Sequence, residues 1–434
     1  MSGDVLVRDG RYLDVPAGVW RHGDIRIVGG IITEIGPDLG TWGGETIDAT
    51  ELYLLPGLID CHVHVTAVTA DLAALSDLAP SYVAFGTARI MGQMLDRGFT
   101  TVRDVAGADH GVHQAQAEGL VRGPRLLFGG KAISQTGGHG DVRPAGRASV
   151  HGCCGSPSAL SRLADGVDAV RTAVRDELRR GAHHIKVMAS GGVASPTDRI
   201  DSSQYSSAEL RAAVEEAEAA NRYVTVHAYT ARSIKHALES GVHGIEHGNL
   251  LDEESIVLLK ERNASLTMNL VTYWALQHEG REHGLSETSW NKVSAVLDGG
   301  YESMTRAYAA GIIPAYGSDL LGAMHRHQAR EFAIRADILP SIDIIRSATT
   351  IAAKVLRREG QLGVISTGAS GDLIAVVDDP LQDINVLAES RIAAVIQDGD
   401  VVSRSGHGPA SSTALDRAAD IRQPRSPTPS GTFR

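Results

Sequence analysis

One stretch constrains this chain more than any other: Leu54-Leu55-Pro56-Gly57-Leu58-Ile59-Asp60-Cys61-His62-Val63-His64-Val65, an apolar run ending in two histidines one residue apart. In a buried strand, side chains alternate between faces, so His62 and His64 share one face while Cys61, Val63 and Val65 take the other. Two imidazoles aimed into one space suit a divalent cation, because neutral imidazole is a common ligand for zinc and its relatives. Taken alone, a His-x-His pair is more often a pair of surface or core histidines. The rest of the chain has to decide between the two.

Between about Leu58 and Arg358, strand-like runs alternate with Ala-rich amphipathic stretches, the pattern of parallel β/α architecture. Eight runs read as strands: Ile59–Val65, Phe99–Asp104, Arg125–Gly129, His184–Ser190, Tyr223–Tyr229, Gly244–His247, Ser265–Leu270 and Ile313–Asp319. Eight units predict a (β/α)₈ TIM-like barrel, with a doubly wound open sheet as the alternative. Helices are expected over Ser158–Arg180, Ser207–Asn221 (capped by Ser206 or Ser207, with Glu209 in its first turn) and Ser341–Lys354.

Short β-type runs also lie at both ends, at Val5–Ile47 and at Asp372–Val402. The simplest packing joins them in one small β-sandwich, with the barrel as an insert. The expected domains are 1–57 and 359–403 for the two parts of the sandwich, 58–358 for the barrel, and 404–434 for a Ser-, Pro- and Gly-rich tail that is either flexible or docked on a neighbouring subunit.

In such a barrel, chemistry sits at the C-terminal ends of the strands. The polar residues there are His62 and His64 on the first strand, Lys186 on the fourth, His227 on the fifth, His247 on the sixth and Asp319 on the eighth, a ligand set for two metals. Lys186 lies in His184-Ile185-Lys186-Val187-Met188, where a lone charged amine is costly to bury. It is either an ordinary salt-bridged lysine or an amine of lowered pKa that reacts with carbon dioxide to give a bridging carbamate. Asp319 suits both metal ligation and proton transfer, as well as capping the following helix. His184 and His243 are expected deeper in the barrel. His325-Arg326-His327 repeats the His-x-His spacing on a helix, where neighbours two apart do not face each other.

Thr136-Gly137-Gly138-His139-Gly140-Asp141, Lys186-Val187-Met188-Ala189-Ser190-Gly191-Gly192, His227-Ala228-Tyr229-Thr230 and Ile245-Glu246-His247-Gly248-Asn249-Leu250-Leu251-Asp252 together resemble the amidohydrolase superfamily. The resemblance is narrower still, to its branch of imidazolonepropionase-like Xaa-Pro dipeptidases and N-acyl-amino-acid hydrolases, which also includes ochratoxin amidohydrolases. It covers nearly everything from Val5 to Leu387. It implies one metal on His62, His64 and Asp319, a second on His227 and His247, and carboxylated Lys186 between them, with zinc as the expected ion. It further implies that His139 and Tyr229 contact the substrate carbonyl or its oxyanion. Tyr229 has support of its own, lying two residues beyond His227 on the same face.

The expected reaction is hydrolysis of an amide in an N-acyl amino acid or an Xaa-Pro-like dipeptide by hydroxide bridging the two metals, with Asp319 carrying the proton to the leaving nitrogen. Arg199 and Arg232, on loops after strands four and five, are candidates to bind a substrate carboxylate, though surface arginines are the commoner explanation. The alternatives are a bulky aryl or xenobiotic amide such as an ochratoxin, a carbamate or a urea, and, from another class, a metal-binding scaffold without catalysis.

Composition narrows the partners. With 434 residues and 43% hydrophobic content the chain buries a large core, while a net charge of −11 and the lack of any basic run argue against nucleic acid. No apolar run approaches the roughly 18 residues of a membrane helix. Three cysteines provide no disulfide framework. A cytoplasmic protein acting on a small-molecule amide is expected, and the resemblance implies a homo-oligomer. The neighbours Cys153 and Cys154 read as small apolar loop residues.

Overall fold

The computed structural model describes residues 3–146, 156–195 and 197–404. Cys153, Cys154 and nearly all of the tail therefore lie outside the described residues. Five strands open the chain: β1 (Val5–Asp14), β2 (Val19–Val28), β3 (Ile31–Gly36), β4 (Glu45–Asp48) and β5 (Tyr53–Pro56). There follow β6 (Leu58–Val63), β7 (Phe99–Asp104), β8 (Arg125–Phe128), β9 (Ala132–Ser134) and β10 (Ser161–Leu163). The middle of the chain adds β11 (Ile185–Met188), β12 (Val224–Thr230), β13 (Gly244–Leu250), β14 (Ser265–Met268) and β15 (Ala315–Tyr316). The chain closes with β16 (Leu373–Val376), β17 (Ile392–Gln397) and β18 (Asp400–Arg404).

Strands from both chain ends share one eight-stranded sheet, ordered β18-β17-β16-β5-β1-β2-β3, with β4 also on β1. This is a branched ladder rather than the two separate facing sheets of the expected sandwich, because β1 changes partner along its length. Val5–Arg8 pairs with β4, whereas beyond a bulge at Asp9 (φ 58°) Arg11 and Tyr12 pair with β5. Val5, Val7, Ile25, Ile27, Ile47, Leu54, Leu373 and Ile396 fill the space it encloses.

The remaining strands form two parallel arcs, β6-β7-β8 and β10-β9-β11-β12-β13-β14-β15, carrying helices between them. Backbone hydrogen bonds cross both seams: His183 N donates to Phe128 O at 2.8 Å, and Asp319 N to His62 O at 2.8 Å. All eight strand-like runs lie in these arcs. The short β9 and β10 are additional, and β10 replaces the start of the helix expected over Ser158–Arg180, which begins only at Val167. The helix Ser207–Ala219 carries a complete capping box between Ser206 and Glu209. The segment Ser341–Lys354 splits into Ser341–Ser347 and Thr350–Val355, since the carbonyl of Ala348 is taken by Ile59 N of β6 rather than by the next helical turn. Among the described residues no helix is long and apolar enough to cross a membrane.

The last arc strand is only two residues long, and a buried ion pair braces it. Arg335 donates to the carbonyls of Pro314, Ala315 and Met268, and to Glu331 at 2.9 Å, while Glu331 accepts from Leu270 N and Val271 N. Both side chains are fully buried.

Candidate metal centre and active site

His62, His64, His139, Lys186, His227, Tyr229, His247 and Asp319 line one cavity at the C-terminal ends of the arc strands. The Nε2 atoms of His62 and His64 lie 3.4 and 3.1 Å from Asp319 Oδ1, and the three residues can present ligand atoms all within 4.8 Å of one another. The His227 and His247 rings stand 4.4 Å apart, His247 is 4.8 Å from His62, and His139 stacks on His227 at 4.1 Å.

Whether this donor set fits a cation depends on which ring nitrogens are already engaged. His62 Nδ1 donates to Glu246 Oε2 at 2.8 Å, His64 Nδ1 to the Ala106 carbonyl at 2.9 Å and His247 Nδ1 to Asn269 Oδ1 at 3.0 Å. A neutral ring with its proton on Nδ1 keeps the Nε2 lone pair for a cation. His227 is engaged the other way round, through Nε2 to the Gly191 carbonyl at 3.1 Å, so its Nδ1 lone pair is the one left. Four buried imidazoles, each oriented by a second partner and each with one lone pair, fit a divalent cation site. Burial, and then neighbouring basic groups, hold His227 and His247 well below the ordinary histidine range, in the neutral form that ligates. Burial alone would push the Asp319 carboxyl up, but His62, His64 and His247 more than offset it and keep it ionised.

Lys186 is 2% exposed, and among the described residues its amine makes no ion pair, so the salt-bridged alternative has no partner here. Burial lowers its pKa from 10.5 to about 8. A substantial neutral fraction near physiological pH is the form that reacts with carbon dioxide.

Two members of the set depart from ordinary backbone geometry. His247 (φ 75°) and Asp319 (φ 53°) are both in the left-handed region, which is sparsely used by residues with a Cβ. Strict alternation along β13 would aim Gly244 and Glu246 at the interior and His247 away from it. The turn at His247 brings both acid and imidazole to the site.

Several residues that the sequence reading passed over complete it. Glu246 also accepts from Arg103 Nη2 at 2.6 Å and from the Thr225 hydroxyl, and Arg103, wholly buried, donates to Cys61 O at 2.6 Å. Asp60 accepts from His62 N, Ser318 N and the Ser318 hydroxyl, tying the first strand to the Asp319 turn, while Asp104 accepts from Val65 N at 2.7 Å beside His64. Tyr273 donates to the Tyr229 hydroxyl at 2.8 Å, which leaves the Tyr229 proton for another acceptor. The signal for these was a charged residue inside an otherwise buried strand, as in Thr100-Thr101-Val102-Arg103-Asp104. Glu246→Gln removes the charge facing Arg103, so it is expected to cost about 3–5 kcal/mol and to weaken metal binding about 10- to 100-fold. Urea unfolding and a metal titration check this.

Some expected residues do not reach the cavity. Arg199 is 83% exposed and paired with Asp201 at 2.9 Å, and Arg232 binds the Asp201 carbonyl and Ser203. Arg232 stands in the first turn of the helix Ala231–Glu239 rather than on a loop, and among the described residues no arginine lines the cavity. His243 sits at the start of β13, pairing with Glu218 at 3.2 Å instead of filling the interior; His184 does lie buried beneath Lys186's strand end, stacked on Tyr223. His325 is buried against the Ala67 carbonyl and His327 pairs with Glu279, on a 3₁₀ turn apart from the cluster.

Comparison with known proteins places this geometry. The sequence pattern of the amidohydrolase family matches residues 53–402. Ochratoxinase of Aspergillus niger is 33% identical over 375 residues, spanning 82% of this chain and 77% of that protein. Among solved structures, a prolidase complexed with N-methylphosphonate-L-proline superimposes with a TM-score of 0.91 at 45% identity, covering 93% of this chain and 100% of that one. A Xaa-Pro dipeptidase with bound methionine gives 0.83 at 28% identity, covering 93% and 100%. With a match spanning both the site strands and the closing strands, the chain belongs to the amidohydrolase family and is a hydrolase acting on C–N bonds.

Proposed function

We propose that this chain is a dinuclear metal-dependent amidohydrolase that cleaves the amide bond of an N-acyl amino acid or an Xaa-Pro-like dipeptide, and that its two strand arcs close as a (β/α)₈ barrel around the site. The observation that carries the reading is the meeting of His62, His64 and Asp319 in the cavity that also holds the buried amine of Lys186, which makes no ion pair among the described residues. In this reading His62, His64 and Asp319 would hold one cation and His227 and His247 the other, and Lys186, once carboxylated, would supply ligand oxygens to them. Bound there, two divalent ions, zinc first among them, would polarise the scissile carbonyl and make hydroxide available near neutral pH. Asp319 takes up the proton released on attack and returns it to the leaving nitrogen, which departs poorly without it. Burial raises the Tyr229 phenol above its ordinary range, so it stays a donor for the carbonyl oxygen as charge develops there. His139, stacked beside His227, contacts the substrate from the neighbouring loop.

The proline-type substrate is supported by the likeness to a prolidase holding a phosphonate analogue of an acyl-proline. The wall of the cavity favours a second reading. Leu72, Val142, Leu160, Val193, Leu276 and Leu321 line it without an arginine among the described residues, which suits a bulky aryl amide of the ochratoxin kind.

Chelation followed by metal analysis and readdition of zinc, with a panel of dipeptides, N-acyl amino acids and aryl amides, tests both. Hydrolysis restored by zinc is expected. A zinc-loaded protein inert toward every amide would replace catalysis with the scaffold reading. Tyr229→Phe is expected to lower kcat about 10²- to 10³-fold with metal content unchanged, measured by steady-state kinetics beside elemental analysis.

A further inference from the structure

His139 is held at both its backbone and its ring by a buried polar network that follows β11. Its amide N donates to Gln204 Oε1 at 2.9 Å, and its Nδ1 lies 2.9 Å from Ser195 Oγ. Ser195 Oγ in turn donates to Asp198 Oδ1. Asp198 Oδ2 accepts from Gly192 N at 3.2 Å and from Gln204 Nε2 at 3.0 Å, so both of its oxygens are engaged. Ser195, Asp198 and Gln204 are all buried. From the far side, Lys292 donates to the carbonyls of Gly192, Ser195 and Asp198 at 3.0, 3.1 and 2.8 Å, clamping this loop onto the helix Glu287–Ala309.

The direction of the chain of hydrogen bonds follows from chemistry. An ionised carboxylate only accepts, so the Ser195 hydroxyl spends its one proton on Asp198 and faces His139 as an acceptor. The proton of neutral His139 must then sit on Nδ1. Its Nε2 lone pair is what remains for the cavity. The loop is also fitted to the ring: a Cβ on Gly192 would stand 2.0 Å from His139 Cε1.

We propose that Asp198 and Ser195 are positioning residues that set the tautomer and orientation of His139, so that it meets the substrate as a hydrogen-bond acceptor. This rests on the proposed reading of the cavity as the substrate site, and it gives His139 the opposite polarity to an oxyanion donor. A substrate matched to it carries an N–H, O–H or ammonium donor at that position, while Tyr229 serves the carbonyl oxygen.

The tautomer is read without any turnover from long-range ¹H–¹⁵N spectra of metal-free protein, the His139 signals being assigned with His139→Gln. The expected wild-type pattern is Nδ1–H; finding Nε2–H overturns the proposal. In Asp198→Asn the amide group can donate to Ser195, reversing the chain, so a switch to Nε2–H and a fall in kcat/KM of about 10- to 100-fold are expected. Ser195→Thr, which keeps the hydroxyl, is expected to retain the wild-type tautomer and most of the rate. Lys292→Met loosens the loop and removes the ammonium that stands 3.7 Å from Asp198 Oδ1, but it keeps every hydrogen bond that runs from Asp198 through Ser195 to His139, so it should lower the melting temperature and keep Nδ1–H. An Asp198→Asn protein with the tautomer unchanged and the same loss as Lys292→Met would reduce Asp198 to a structural brace and sink the idea. Wild-type protein inactive on every amide would defeat the substrate-site reading while leaving the tautomer result to stand or fall by itself.

Discussion

Asp319→Asn is expected to lower turnover by about 10²- to 10⁴-fold, the range of a lost general acid–base group, with the protein still folded and still loaded with metal. Asparagine suits this test for a conformational reason. Asp319 has φ 53°, a region that Asn enters with little penalty and Ala does not, so the backbone that presents the group is preserved. The amide oxygen still faces His62 and His64, which lie 3.4 and 3.1 Å from the same atom of the carboxylate. What disappears is a basic oxygen able to take a proton and return it. Elemental analysis beside single-turnover kinetics separates the two effects. Full turnover in this variant would remove Asp319 from the chemistry, and loss of metal in step with activity would leave it a ligand alone.

Lys186→Met is expected to abolish measurable turnover, to lower metal content below two ions per chain, and at the same time to stabilise the metal-free protein. Burial lowers the Lys186 pKa from 10.5 to about 8, which corresponds to about 3 kcal/mol of destabilisation at neutral pH. The sign follows from proton counting. Between about 8 and 10.5 the unfolded chain still carries the proton that the folded chain has shed, so stability of the metal-free wild type rises with pH across that window. Below it the cost is present in full. Methionine fills similar volume without a charge and should flatten the rise, as urea unfolding at a series of pH values would record. A ¹³C carbonyl signal from labelled bicarbonate, present in wild type and missing from Lys186→Met, would identify the carbamate. Equal metal content in the two proteins would count against the bridging role. A side chain that costs stability and makes no ion pair among the described residues is what a group retained for chemistry looks like.

The order of the strands was legible from the chain because it depends on local pattern. Apolar runs of strand length, separated by amphipathic helices, report their own burial, and His62, His64, Lys186, His227 and Asp319 announce themselves by standing in or at the ends of such runs. The Ser206–Glu209 cap was readable for the same reason, its hydrogen bonds closing within three residues. The polar partners were not. Arg103 and Glu246 are separated by 143 residues, Asp60 and Ser318 by 258, and Asp198 reaches His139 through Ser195 and Gln204.

What the amino-acid sequence determined by itself is the inventory: parallel strand–helix units, four imidazoles, one amine and one acid at strand ends, and membership of the family. Tertiary structure alone decided how they are used. The left-handed turn at His247 overrides the alternation that would have turned its ring away, the opposite engagement of His227 selects Nδ1 rather than Nε2, and Arg199 and Arg232 are engaged with Asp201 rather than with the cavity. The reason is that burial is recorded along the chain by composition, whereas the direction of a side chain and the tautomer of a ring are set by partners brought together from distant strands.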